Sequence, residues 1–91
     1  MSVYLKDPAA SLDYVIDWGA GYLGLERIAT SSWSVEPADG LTIVSSSANE
    51  TQTAVTLAGG VPGTVYRVTN HVILTDARED ERAITLRVEQ R

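Results

Sequence analysis

The chain contains no cysteine. That excludes disulfide bridges, thiolate metal sites and cysteine nucleophiles. Small secreted domains commonly rely on such staples, so their absence leans toward assembly in a reducing cytoplasm. Long apolar runs are missing too, and no stretch approaches the length that crosses a bilayer. The opening MSVYLKDPAASLDY has no basic patch followed by an apolar run, so no signal peptide is expected there. Asn49-Glu50-Thr51 fits a glycosylation sequon, and without a secretion signal it reads as chance. Excess positive charge is also lacking. The formal net charge is -5, whereas nucleic-acid affinity needs clustered cations against phosphate. Arg78, Arg82, Arg87 and Arg91 are interleaved with Glu79, Asp80, Glu81 and Glu89, so no basic stripe forms.

What is present fits one small domain over residues 1–91, with an ordinary 44% of hydrophobic residues. A domain of this size buries roughly 60–65% of its unfolded surface, enough to fold alone without much margin. No convincing helical period appears. Six or seven short β-like runs alternate with turn signals instead. The first is Ser2 to Lys6, closed by Asp7-Pro8, where proline removes a ladder donor. In SLDYVIDW, Leu12, Tyr14, Ile16 and Trp18 share one parity, as in a half-buried strand. RIATSSWSV places Ala29, Ser31, Trp33 and Val35 inward, with Ile28 near its start. After the turn Glu36-Pro37-Ala38-Asp39-Gly40, Leu41 and Ile43 face inward, and the polar SSSANE could continue as an exposed edge. Val55 and Leu57 share a face before the turn Gly59-Gly60-Val61-Pro62-Gly63.

The longest run is GTVYRVTNHVILTD, with Tyr66, Val68, Asn70, Val72 and Leu74 on one parity. DAREDE reads as a charged turn. RAITLRVEQ closes the chain with Ile84, Leu86 and Val88 inward. Strands at roughly 8–12-residue spacing without helices predict an all-β, immunoglobulin-like antiparallel sandwich of about seven strands. A small barrel is the main alternative. In such sandwiches a tyrosine near the start of the penultimate strand packs inward and bonds upstream backbone. Tyr66 suits that role, with Trp33 in the middle of the core. Asn70 is expected at the sandwich rim, bonding loop backbone, or else contacting a partner chain.

No residue set supports catalysis, so no enzyme is expected. His71 has no companion for a triad or metal site, and no G-x-S-x-G elbow occurs. It is placed on the outer sheet face, as a surface or interface residue. Gly19, Gly21 and Gly24 match G-x-G-x-x-G by spacing, but a strand follows where phosphate binding needs a helix N-terminus. Tyr22, Leu23 and Leu25 then sit on a loop tip, able to meet a neighbouring chain. Asp76, Glu79, Asp80 and Glu81 lack the alternating ligands and bend glycine of a calcium loop. No metal or cofactor is expected. The remaining contact candidates are Arg78 and Arg82 at the charged turn, and Val3, Tyr4 and Leu5 as a possible edge.

Several blocks together resemble a known family. They are Lys6-Asp7-Pro8, then Leu12-Asp13-Tyr14 with Asp17-Trp18, then Ile28, Ser32, Trp33, Val35 and Gly40-Leu41-Thr42. Further on come Leu57, Gly59, Gly60, Gly63, Tyr66 and Val68-Thr69-Asn70, then Arg82 and Leu86-Arg87-Val88. This order resembles the small tailed-bacteriophage fiber-tail adaptors, or neck and tail-associated virion proteins of immunoglobulin-like type. The resemblance implies a noncatalytic virion subunit, assembled in the host cytoplasm. Its expected place is the neck or tail, in multiple symmetric copies. Partners would be other virion proteins (tail, fiber, connector or capsid), with no nucleic acid and no membrane. His71 stands where the resemblance leads one to expect arginine, and Ala77 lies in a turn that often bears glycine. A capsid decoration protein is the alternative reading. A carbohydrate-binding module is a third, which would need exposed aromatics, whereas Trp18 and Trp33 fall on inner parities.

Overall fold

A computed structural model describes residues 3–19 and 26–90. Seven strands follow in chain order: β1 (Val3–Lys6), β2 (Ser11–Asp17), β3 (Ile28–Glu36), β4 (Leu41–Ala48), β5 (Gln52–Gly59), β6 (Val65–Leu74) and β7 (Glu79–Val88). Among the described residues there is no helix. The strands form a β-sandwich: a four-stranded sheet ordered β1-β7-β6-β3 faces a three-stranded sheet ordered β2-β5-β4. One pairing departs from the expected antiparallel scheme, because β1 runs parallel to β7. The Asp7-Pro8 break sends the chain from β1 across to the other sheet, so β1 cannot hairpin onto β2.

β6 carries the core. Tyr66, Val68, Asn70, Val72 and Leu74 are all buried, each no more than 2% exposed. The inward sets Val55 and Leu57, and Ile84, Leu86 and Val88, are buried opposite and beside it, as their alternation predicts. The apolar core divides in two. A lower cluster gathers Leu41, Val55, Leu57, Tyr66, Val68, Ile84, Leu86 and Val88. An upper cluster holds Ile16, Trp18, Val72 and Leu74. Trp33 packs against both while staying half-buried. The wholly buried indole is that of Trp18, at the end of β2.

Two bulges break the expected parities. The β3–β6 register shifts between Ile28 and Thr30, leaving Ala29 as an extra, exposed residue. The β4–β5 register shifts between Ile43 and Ser45, which leaves Val44 as an extra, exposed residue and flips the parity from Ser45 onward. Leu12 keeps its inward register opposite Leu57 yet is 37% exposed, because the sandwich opens on its β1–β2 side.

The base of the sandwich is closed by backbone and glycine. The Tyr66 hydroxyl accepts from the Val61 amide (2.9 Å) and donates to the Asp39 carbonyl (2.7 Å), locking two base turns to the core. Gly59 has φ +80, and a Cβ there would stand 2.8 Å from the Gly40 oxygen. Glycine therefore serves both the left-handed conformation and the close approach.

Candidate interaction surfaces

A polar layer fixes the frame from which the exposed faces project. Asn70 lies between the upper and lower core clusters with its side chain fully bonded. Its Oδ1 accepts from Thr53 Oγ1 (2.7 Å) and from Trp18 Nε1 (2.9 Å). Its Nδ2 donates to Ser31 Oγ (2.9 Å) and to the Ser32 carbonyl (3.0 Å). Trp18 and Thr53 belong to the three-stranded sheet side, Ser31 and Ser32 to β3, so one amide ties both sheets together. The expectation of a rim position is thus corrected. Asn70 is 0% exposed and offers no surface to a partner. Its bonds go mainly to side chains of neighbouring strands, because β6 is long enough for position 70 to fall at mid-sandwich.

A second buried polar group was not anticipated. Lys6 is 1% exposed. Its Nζ donates to the carbonyls of Asp7 (3.0 Å), Ala10 (2.6 Å) and Gly59 (2.6 Å). Burial lowers the ammonium pKa, with the Asp7 charge opposing that shift. The lysine is a tether that pins the β1–β2 turn onto the end of β5. Its inward parity, shared with Tyr4, is the one signal in the sequence that could have revealed this.

His71 sits on the outer face of the four-stranded sheet, directly across from Glu81. Nδ1 lies 3.0 Å from Glu81 Oε2, and Nε2 lies 2.7 Å from Glu79 Oε1. The hydrogen bond to Glu81, then that to Glu79, raise the imidazole pKa above its ordinary 6.5. These carboxylates are strand residues. The charged turn is tighter than the sequence suggests, because β7 already begins at Glu79. The reversal is closed by Ala77 N bonding Leu74 O (2.9 Å) and Leu74 N bonding Arg78 O (2.8 Å). Ala77 takes φ 71, the conformation that glycine favours in such turns. Arg78 Nε pairs with Asp76 Oδ2 at 2.6 Å, and the Arg78 contacts hold the Asp76 carboxyl below its usual pKa.

Arg82 is not part of that turn. It lies on β7 opposite Asn70, its guanidinium 4.4 Å from the centre of the Trp18 ring. It also donates to the Asp17 carbonyl (3.3 Å). Arg82 caps the upper core as a cation over an indole face. Val3, Tyr4 and Leu5 form the edge strand β1 as expected, at 60%, 41% and 48% exposure. Tyr22, Leu23 and Leu25 lie outside the described residues. Of the sequence candidates, the structure sets Asn70 and Arg82 opposite each other across β6 and β7 and otherwise brings together only neighbours along a strand. The β1 edge, the His71 face and the Arg78 turn are separate surfaces. Among the described residues, no cluster of three or more His, Asp or Glu side chains could hold a metal.

The sequence matches the family model described as Gp77, Podophage GP4 fiber-tail adaptor protein gp77, over residues 6–87. That span takes in β2 to β6 and nearly all of β7, but only the last residue of β1. The chain belongs to this fiber-tail adaptor family. No curated protein matches the chain. Members of the Gp77 family are structural proteins of the phage tail, which places this chain among virion components and gives it an adaptor role. The buried tether Lys6 falls at the first matched residue. Asn70, Thr53 and Trp18 fall well inside the matched span.

Proposed function

We propose that this protein is a noncatalytic adaptor at the joint where fibers meet the phage tail, close to the neck, and that it is present in several copies around the tail axis. The observation that carries the reading is the adaptor-family match across both sheets. The physical character of the molecule supports it. The interior is locked by Asn70, Lys6 and Tyr66, while distinct polar and apolar surfaces remain outside. A rigid body with several unlike faces suits a part that must grip two different neighbours. The contacts we assign are the β1 edge (Val3, Tyr4, Leu5), the His71–Glu79–Glu81 face, Arg78 at the β6–β7 turn and Arg82 above Trp18. Tyr22, Leu23 and Leu25 join them from the sequence alone. Partners are then tail and fiber proteins, and the particle would be assembled in the host cytoplasm.

We also read the sandwich as immunoglobulin-like. Strands β3, β6 and β7 take the places of C, F and G, and β2, β5 and β4 those of B, E and D. Tyr66 with its upstream bond to Val61 supports the same reading. The adhesive-module alternative loses support, because Trp18 is sealed inside and cannot offer a stacking face to a sugar.

Deleting the gene tests the adaptor role. Particles should retain heads and tails but carry no fibers, and added purified protein should restore fiber attachment. Particles that keep their full complement of fibers would overturn the reading.

A further inference from the structure

The β1 edge has a property that follows from its hydrogen-bond phase. The Glu89 amide donates to the Lys6 carbonyl (2.9 Å), so the main-chain groups of Lys6 point toward β7. Peptide groups alternate sides along a strand, so those of Tyr4 also point to β7. The N–H and C=O groups of Val3 and Leu5 then point to the open edge. They are two residues apart and symmetric about Tyr4.

Edge strands are usually guarded by an outward lysine, a proline or a bulge. β1 has none of these. Its one charged side chain, Lys6, is turned inward and held by three carbonyls. Val3 and Leu5 lie on the outer face, in register with Thr85 and Arg87, and both are exposed. Tyr4 points inward, its ring 5.3 Å from that of Tyr14, yet stays 41% exposed at the open β1–β2 side. Leu12, also inward in register, is exposed on the same side. The edge therefore joins backbone without a partner among the described residues, uncharged side chains and an incompletely covered core.

We propose that β1 pairs with β1 of a second copy of this chain, antiparallel, about a two-fold axis midway between the two Tyr4 residues. Val3 of each copy then exchanges both main-chain bonds with Leu5 of the other. The two four-stranded sheets become one eight-stranded sheet, with the outer faces on the same side. Val3 stacks beside the second copy's Leu5, and the two Tyr4 residues face each other as the closer, non-hydrogen-bonded pair. No like charges meet within the strand pair. The covered surface is far below the ~1,000 Å² of a durable interface. The pairing is thus weak in dilute solution and forms where copies are concentrated, as within an assembly. It rests on edge geometry and stands apart from the adaptor role.

Register-specific cross-linking tests it, because the chain has no cysteine of its own. The facing Tyr4 positions have Cα atoms about 4.5 Å apart, within disulfide range. Tyr4→Cys should form a disulfide dimer at least tenfold faster than Val65→Cys, which places a cysteine at a more exposed position away from the edge. Val3→Cys mixed with Leu5→Cys should give the mixed dimer in preference to either homodimer. The wild-type protein supplies a readout free of folding artefacts. Amide exchange at Val3 and Leu5 should slow several-fold with rising protein concentration, while that of Tyr4 stays constant. Tyr4→Cys oxidising no faster than Val65→Cys, or exchange at Leu5 independent of concentration, overturns the proposal. Capture of the edge by a foreign strand alone would give that second result.

Discussion

Replacing Asn70 by alanine should remove the bond that joins the two sheets at mid-core. The loss falls on the acceptor side. Thr53 Oγ1 and Trp18 Nε1 both donate to Asn70 Oδ1 inside the protein. After the change, Trp18 Nε1 is left with its longer 3.3 Å bond to Thr53 in place of the 2.9 Å one, and the Thr53 hydroxyl loses its acceptor. A buried orphaned polar group costs about 1–3 kcal/mol. The partners of Nδ2, Ser31 and Ser32, lie on the edge strand β3, where water can replace the amide. The sum, with the small void left behind, is about 2–4 kcal/mol. A domain of 91 residues is stable by roughly 5–14 kcal/mol in all. Asn70→Ala should therefore remove a large share of the stability, lowering Tm by about 10–30 °C. Urea unfolding followed by tryptophan fluorescence measures the change. A double-mutant cycle with Trp18→Phe isolates the bond and should give a coupling of about 1 kcal/mol or more. A cost below about 1 kcal/mol with no coupling would refute the bridging role and return Asn70 to the rim.

The imidazole clamp has a sign that can be checked. With the folded pKa of His71 raised, its contribution to stability is complete below 6.5 and is lost as pH rises through the higher folded value. His71 is the only histidine, so its ring protons titrate alone in NMR. The midpoint should exceed 6.5 and fall in both Glu81→Gln and Glu79→Gln, and an unchanged midpoint would contradict the clamp. Lys6→Met should cost about 2–4 kcal/mol, because the Ala10 and Gly59 carbonyls lose a charged donor. An unfolding midpoint like that of wild type would show the tether to be idle. Gly59 and Gly63 have similar positive φ, but only Gly59 lacks room for a Cβ, since nothing lies within 4 Å at Gly63. Gly63→Ala should cost about 1–2 kcal/mol from backbone conformation alone, and Gly59→Ala clearly more. Equal losses would remove the argument from close approach.

Much of the sandwich was legible because two-residue alternation is a strong signal wherever one face is dry. Tyr66 to Leu74, Ile84 to Val88 and Val55 to Leu57 all point inward as their spacing requires. What escaped was set by pairing rather than by pattern. The bulges at Ala29 and Val44 shift parity without any local signal such as glycine. The parallel placement of β1 depends on β7, far away in the chain. Asn70 reads as a rim residue because a polar side chain usually seeks water, and Lys6 reads only as the end of the first run. Their burial depends on partners on other strands, which sequence parity alone does not supply. The length of β7 was hidden by its charges. Glu79 and Glu81 suit a solvated outer face as well as they suit a turn. Of the contact candidates, the β1 edge, His71 and Arg78 stand on the surface as expected, and Asn70 does not.

We propose a place for this protein at the joint between tail and fiber. Immunogold electron microscopy of particles carrying an epitope-tagged copy tests it most directly. Label should gather at the tail where fibers emerge, in a fixed number per particle. Label spread over the faces of the head would contradict the account.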